Sequence, residues 1–191
     1  NYMLLLMLVF ITVYPMYYIF IVSISSGTYV SRGDVHLLPK GINFSAYKTV
    51  FQNSDIWRSY LNTIIYTTVG TAINIVLSSM CAYPLSRKDF YGKSVFTFIV
   101  AFTMFMSGGM IPLYLVVLKL GLIDTIWAIV LPPAINTFNM IIMRTFFQGI
   151  PVSLQESAFL DGANDLQILW KIILPLSKPI MATMVLFYAV Q

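Results

Sequence analysis

Residues 59–86 read SYLNTIIYTTVGTAINIVLSSMCAYPLS and contain no charged side chain over 28 positions. A helix needs about 20 apolar residues to cross the hydrocarbon core of a bilayer, so this stretch is long enough to span once. Similar charge-free runs cover residues 2–25, 94–118 and 125–143. We therefore expect four complete membrane-spanning helices. A fifth apolar run, over residues 179–191, is too short to cross.

The composition of the chain agrees with a membrane protein. Only 9% of its 191 residues are charged, 59% are hydrophobic and the mean hydropathy is +0.83, whereas a soluble domain carries about 25% charged residues. Soluble, disordered and nucleic-acid-binding classes are excluded, despite the net charge of +4. The strands of a membrane barrel would alternate over segments of about 10 residues, so we predict an all-α, polytopic transmembrane helical bundle.

Candidate residues for catalysis or metal binding are scarce. One Cys and one His exclude an internal disulfide framework and most imidazole chemistry. We therefore predict no catalytic and no metal site. An intramembrane enzyme is disfavoured because its His would have to lie in or beside a span, whereas His36 lies in a polar loop.

Two long polar segments separate the spans, at residues 26–58 and 144–178. The side that holds residues 144–178 carries six Lys or Arg residues and the opposite side carries five. The positive-inside rule thus favours the former only slightly as cytoplasmic. The chain begins without Met and stops inside an apolar run. We interpret residues 1–191 as a single transmembrane domain, incomplete at both ends, from a longer protein.

The segment 144–178 is longer than a tight connection needs and contains signals for short helices. Ser153 and Glu156 fit the Ser-x-x-Glu capping box of a helix over residues 154–161. Gly162 can supply the left-handed conformation that stops this helix.

A second helix signal follows at once. Asn164 or Asp165 can cap a helix over residues 166–174, and Pro175 would end it. We expect two short helices, hinged at Gly162, outside the bilayer core.

The spacing in this segment resembles a known pattern. The matching residues are Glu156, Ala158, Gly162, Ile172, Leu174 and Pro175. They look like the EAA loop of binding-protein-dependent ABC importer permeases, which reads EAA, three residues, Gly, nine residues and Ile-x-Leu-Pro. Ser157 departs from the pattern at its second Ala. The triplet at residues 161–163, Asp-Gly-Ala, looks like the sugar-importer version.

Other parts of the chain resemble the maltose-type carbohydrate-uptake family, in particular its permeases for complex or plant-derived oligosaccharides. They are the long loop after the first span, residues 57–63 and residues 108–114. The resemblance implies the fold of an ABC type I importer permease with six spans, of which this chain would hold four and part of a fifth. It also implies that residues 26–58 are extracytoplasmic and residues 144–178 cytoplasmic, in a multi-pass protein of the bacterial plasma membrane.

The resemblance further implies a division of labour. A second homologous permease, a cytoplasmic ATPase dimer and an extracytoplasmic solute-binding protein would be the partners. ATP and Mg would bind to the ATPase, since this chain has no phosphate-binding loop sequence and would hold no cofactor itself. Residues 144–178 would place a coupling helix in a cleft of the ATPase, and ATP-driven closure would rock the permeases between inward- and outward-facing states.

The coupling residues implied by the resemblance are Glu156, Ser157, Ala158, Leu160, Asp161, Gly162 and Ala163. Glu156 would supply a charged contact, Ala158 a close approach, Leu160 an apolar anchor and Gly162 the turn. The competing interpretation is that Glu156 only caps its own helix.

A sugar path needs amide and hydroxyl partners together with aromatic faces. Asn136 and Asn139 lie three residues apart on one face of the fourth span, and Tyr114 and Trp127 offer aromatic rings. These four are the candidates for substrate contact. Packing between helices is the competing interpretation for the two amides, and interface anchoring for the two rings.

A sugar or oligosaccharide importer is thus the main expectation, with two alternatives. An ion-coupled secondary transporter usually buries a charged residue within a span, and the four full runs contain none. An ABC permease for a non-sugar solute is the second alternative. A strongly anionic substrate would prefer basic residues on its path, and the spans lack them.

Overall fold

The computed structural model describes residues 2–106 and 108–191, which form helices and connecting turns without any strand. The elements are α1 (Tyr2–Ser23), α2 (Gly27–Ser31), α3 (Ser45–Gln52), α4 (Ser54–Ser86), α5 (Lys93–Phe105), α6 (Met110–Lys119), α7 (Trp127–Val130), α8 (Thr137–Gln148), α9 (Val152–Leu160), α10 (Asp165–Ile168), a π-helical turn (Leu169–Ile173), α11 (Leu174–Leu176) and α12 (Lys178–Val190). The predicted all-α class is confirmed.

Two helices are long and apolar enough to cross a membrane alone. These are α1 and α4, with mean hydropathies of 2.3 and 1.5 over their most apolar windows. The pair α5 and α6, and the helix of residues 165–176 together with α12, are bent pairs that could each form one broken span. By length and composition, the described residues hold two candidate spans, or up to four if each bent pair counts as one.

The run at residues 125–143, expected to cross once, does not form one helix. α7 ends at Val130 and α8 begins only at Thr137. Pro132 and Pro133 lie in the break, and a proline has no N–H to continue the hydrogen-bond ladder of a helix. The fourth predicted span is therefore replaced by a four-residue helix, a turn and a twelve-residue helix.

The chain divides into two compact units, residues 1–62 and 63–191, with the boundary inside α4. In the first unit, the segment after α1 folds back along that helix. The Tyr17 hydroxyl donates to the Leu37 carbonyl at 2.6 Å, and the hydroxyls of Ser23 and Tyr47 lie 2.7 Å apart. Hydrogen bonds thus tie residues 26–58 to α1.

The second unit contains one hydrophobic core, to which α4, α8, α9, the helix of residues 165–176 and α12 all contribute. Its buried members are Ala82, Tyr83, Leu85, Met140, Met143, Phe147, Ile150, Ala158, Ile168, Leu169, Ile173, Met184 and Tyr188. Full burial of one large apolar side chain stabilises a fold by about 1.5–3 kcal/mol. Because several of these buried residues lie in residues 144–178, the predicted loop is packed into this core.

Candidate functional site

The helix α9 begins earlier than the sequence predicts. Its N-cap is Pro151, and no side chain caps it. Ser153 lies inside the first turn, where its carbonyl accepts a hydrogen bond from the Ser157 hydroxyl at 2.9 Å. The predicted Ser153–Glu156 capping box is wrong, and so is the interpretation of Glu156 as the cap of its own helix.

The end of α9 follows the prediction. Gly162 has φ of +81°, in the left-handed region that glycine adopts without steric cost. The Ala163 N–H donates to the Ala158 carbonyl at 2.9 Å, and the Gly162 N–H to the Phe159 carbonyl at 3.0 Å. This pair of bonds is a Schellman motif, which satisfies carbonyls at the helix end.

The second helix has the predicted start and a different end. Asn164 caps it in a reciprocal capping box with Gln167, with bonds of 2.8 and 3.0 Å. It does not stop at Pro175 but continues to Leu176 through the π-helical turn. Pro175 has no N–H to donate, and the wider turn just before it lets the helix continue.

The predicted coupling residues divide between two environments. Glu156, Ser157, Leu160, Asp161 and Gly162 are exposed, Ala163 is half-buried and Ala158 is buried. The side chain of Leu160 is 90% exposed, although it is apolar. Ala158 was expected to let a partner come close to α9. In the structure it packs α9 against the hydrophobic core of its own unit.

Sequence reasoning missed Arg87, which joins the end of α4 to α9 and α10. Its guanidinium donates to Asp89 through Nε at 2.8 Å and forms ion pairs with Asp89 and Asp165. It also lies 4.7 Å from the ring centroid of Phe159, in cation–π geometry. We call this group (Arg87, Asp89, Phe159 and Asp165) the Arg87 clamp. The only sequence signal for it was an Arg-x-Asp spacing after a span.

Charge pairing in the clamp shifts the titration of both partners. Hydrogen bonding from Arg87 lowers the pKa of the Asp89 carboxyl, and the same bonding raises the pKa of Arg87. Because the carboxyl pKa is lowered on folding, its stabilising contribution is present above the unfolded pKa and is lost as the pH falls through the folded value. The Arg87–Asp89 pair is therefore ionised at neutral pH.

A cavity of about 530 Å³ opens beside α9. Glu156 lines it together with Lys88, Lys93 and Gln155. Both ion pairs of the described residues belong to Arg87, so Glu156 has no cationic partner among them. The Glu156 side chain is exposed and lines this cavity beside two lysines. In the part of the chain that the structure describes, no cluster of His, Cys, Asp or Glu could hold a metal ion.

The predicted path residues lie in different environments. Asn136 is the N-cap of α8, where its side chain accepts from the Asn139 N–H at 3.1 Å. Asn139 is buried, while the side chains of Tyr114 and Trp127 are exposed. The capping bond gives Asn136 a structural role.

A cavity of about 290 Å³, whose lining surface is mostly apolar, lies between α4, α7 and α12. Its polar lining residues are Tyr66, Thr67, Thr71, Asn74, Tyr188 and Gln191. The Thr71 hydroxyl is buried and has no hydrogen-bond partner among the described residues. In the orientation that satisfies its amide, Asn74 donates to the Gly70 and Ala134 carbonyls at 3.0 and 3.2 Å. The spacing of Thr67, Thr71 and Asn74 on one helical face was the signal for this cavity.

Residues 74–191 match the family described as the binding-protein-dependent transport system inner membrane component. Over 186 residues the chain is 48% identical to the polygalacturonan/rhamnogalacturonan transport system permease protein YtcP of Bacillus subtilis (strain 168), covering 97% of this chain and 65% of that protein. It is 44% identical to protein LplC of the same organism over 180 residues, covering 94% of this chain and 61% of LplC.

A solved structure is also similar. A chain of a bacterial ABC transporter involved in the import of the acidic polysaccharide alginate matches with a TM-score of 0.92 and 46% identity, over 100% of this chain and 68% of that chain. The chain thus spans about two thirds of the length of these relatives. Since the family match extends over the core, α9 and α12, this chain, a multi-pass inner-membrane protein, belongs to the binding-protein-dependent transport system inner membrane components.

Proposed function

We propose that this chain is the permease subunit of an ATP-driven ABC importer, which moves a sugar or oligosaccharide from an external binding protein into the cytoplasm by alternating access. One observation carries the proposal. α9 presents Glu156, Leu160 and Asp161 to solvent, while Ala158 on the same helix is buried in the core shared with α4, α8 and α12.

This arrangement suits α9 to transmit force. Protein cores are close-packed, so a helix embedded in one cannot move without moving its neighbours. The Arg87 clamp adds a second connection, from α9 and α10 to the end of α4. A push on the exposed face of α9 would therefore displace the membrane helices and reorient the path.

The partners follow from this role. Residues 144–178 would be cytoplasmic and would contact an ATPase dimer through Glu156, Ser157, Leu160 and Asp161. ATP and Mg would bind to that ATPase, where hydrolysis would take place, and not to this chain. A second permease subunit would complete the path, and a solute-binding protein would dock at residues 26–58 on the outer face.

The names of the relatives support a carbohydrate substrate. One is a permease protein of a polygalacturonan/rhamnogalacturonan transport system, and another belongs to a transporter involved in the import of the acidic polysaccharide alginate. Alginate is acidic, although the sequence favours a weakly charged substrate. The cavity at Thr71 has a neutral lining that suits sugar hydroxyls, so acidic groups would have to be contacted outside this cavity. Binding of an oligosaccharide panel by the cognate binding protein tests the class, and exclusive binding of peptides would contradict it.

Replacing Glu156 by Gln should weaken the association with the ATPase. The variant removes one exposed charge and keeps the shape of the side chain. We expect roughly a tenfold loss in affinity for the ATPase, which is the size of effect seen for an energetically important interface residue. ATP hydrolysis stimulated by the substrate-loaded binding protein should fall by a similar factor. Co-purification and ATPase assays measure both, and Asp124→Asn is the control at another exposed carboxylate. Unchanged association in Glu156→Gln would contradict the proposed contact.

Replacing Thr71 by Val tests whether the cavity at Thr71 belongs to the substrate path. The two side chains are similar in shape, but valine cannot hydrogen-bond a sugar hydroxyl. Loss of one such bond costs about 1 kcal/mol, or roughly fivefold in apparent affinity. Sugar uptake by reconstituted vesicles measures it. Thr68→Val is the matched control, since the Thr68 hydroxyl bonds to the Ile64 carbonyl of its own helix at 2.7 Å. Equal uptake by both variants would remove Thr71 from the path.

A further inference from the structure

A groove of about 520 Å³ runs along the start of α5. It shares Lys93 with the cavity beside α9 and shares no lining residue with the cavity at Thr71. It is lined by Lys93, Ser94, Thr97, Phe98, Ala101 and Arg144. Basic and hydroxyl side chains occupy its first part, and apolar ones lie one turn further along the helix. Lys93 immediately precedes the charge-free run of residues 94–118, so the polar part lies where the chain enters the bilayer.

The two cations of the groove are held in place by backbone and not by acids. The Lys93 Nζ donates to the Arg87 carbonyl at 2.7 Å, and the Arg144 Nε donates to the Leu85 carbonyl at 3.0 Å. Among the described residues, both ion pairs are made by Arg87, and neither Lys93 nor Arg144 has a carboxylate partner. Two positive charges thus line one groove without forming an ion pair with a carboxylate of the described residues.

A third polar group of the groove also lacks a partner. The Thr97 Oγ1 is buried and makes no hydrogen bond with any described residue. Threonine hydroxyls in helices commonly bond to a carbonyl of the preceding turn, as Thr103 does here to Val100 at 2.6 Å. A buried hydroxyl without a bond costs free energy, and an acceptor in the groove would satisfy it.

We propose that this groove binds an anionic phospholipid. Its phosphate would lie between Lys93 and Arg144 and accept from the Thr97 hydroxyl, and an acyl chain would follow Phe98 and Ala101. Phe98 is 71% exposed and stacks on Phe102 with ring centroids 6.2 Å apart, which provides an apolar wall. Basic pockets between membrane helices are a known type of site for anionic headgroups. The charge and the polar-to-apolar order match a lipid better than a free anion.

The test uses the full-length chain in its membrane complex, delipidated and titrated with phosphatidylglycerol or with phosphatidylcholine as the uncharged comparison. Native mass spectrometry counts the retained lipid. Each of Lys93→Gln and Arg144→Gln should lower phosphatidylglycerol retention about fivefold, and the double variant about 25-fold. Lys119→Gln removes one exposed positive charge elsewhere and should have no effect. Thr97→Val removes only a hydroxyl and should give a loss of a few fold without disturbing the fold.

Three results would overturn the proposal. The first is equal phosphatidylglycerol retention in Thr97→Val, Lys93→Gln and the native chain. The second is displacement of the lipid by millimolar inorganic phosphate, which would indicate a site for a free anion. The third is loss of a protein subunit from the Lys93→Gln complex with lipid retention unchanged, which would show that a protein covers the groove. Arg144→Lys, which keeps the charge, should retain the lipid and so separates binding from folding.

Discussion

Replacing Arg87 by Ala is expected to reduce coupled transport at least tenfold. The variant removes ion pairs with Asp89 and Asp165 and the cation–π contact with Phe159. Exposed ion pairs contribute about 0.2–1 kcal/mol each and a cation–π contact about 0.5–1 kcal/mol, so the clamp contributes on the order of 1–3 kcal/mol. Without it, the end of α4 follows α9 and α10 only through the shared core, so we expect a smaller share of ATP hydrolysis to be coupled to transport.

The measurement is the ratio of substrate uptake to ATP hydrolysis in reconstituted vesicles. Arg87→Lys keeps the charge but loses the planar guanidinium and most of its stacking on the Phe159 ring. We therefore expect a ratio of uptake to hydrolysis between those of Arg87→Ala and the native chain. Lys119→Ala removes an exposed cation at the end of α6 and should leave the ratio unchanged. If Arg87→Ala lowers uptake and hydrolysis equally, the clamp only stabilises the fold.

Replacing Gly162 by Pro is expected to abolish transport. Proline holds φ near −65°, whereas Gly162 has φ of +81° and donates its N–H to the Phe159 carbonyl. The variant cannot form the Schellman motif, and we expect a destabilisation of about 3 kcal/mol or more with displacement of α9. Thermal unfolding and co-purification with the ATPase measure the two effects.

Gly162→Ala is the matched control for this prediction. A Cβ at this position meets no atom within 4 Å. Any loss of stability in this variant therefore comes from the left-handed backbone conformation and not from a steric clash. That conformation costs a residue with a Cβ about 1–2 kcal/mol. We expect Gly162→Ala to lower the melting temperature while keeping substantial transport. Equal behaviour of Gly162→Pro and the native chain would show that the turn is not needed.

Local chemistry made parts of this site predictable. The turn at Gly162 and the cap at Asn164 depend on a few neighbouring residues, and both were expected from the sequence. The start of α9 was not, because Ile150 is buried in the core and the chain leaves that anchor one residue later, at the proline cap. Packing thus placed Ser153 inside the helix, where its hydroxyl cannot act as the cap.

The predicted substrate-path residues also show that sequence spacing alone does not determine how a side chain is used. Asn136 and Asn139 have the spacing of neighbours on one helical face, and the structure does bring them together. The break at Pro132 and Pro133 makes Asn136 the cap of α8, so its amide is used locally. The cavity at Thr71 depends on three helices meeting, so the spacing of Thr67, Thr71 and Asn74 indicates only the wall that α4 provides.

The sequence by itself determined that this protein is a helical membrane protein with a polar segment of importer spacing. Charge-free length, the scarcity of charge and the lack of a Cβ at Gly162 are properties of single residues or short stretches, and they act before any long-range contact forms. Only the tertiary structure decided that Ala158 belongs to the core and that Arg87 reaches Asp165, 78 positions along the chain. Such contacts arise from the packing of helices that are distant in sequence, and local composition does not determine which residues of those helices will be in contact.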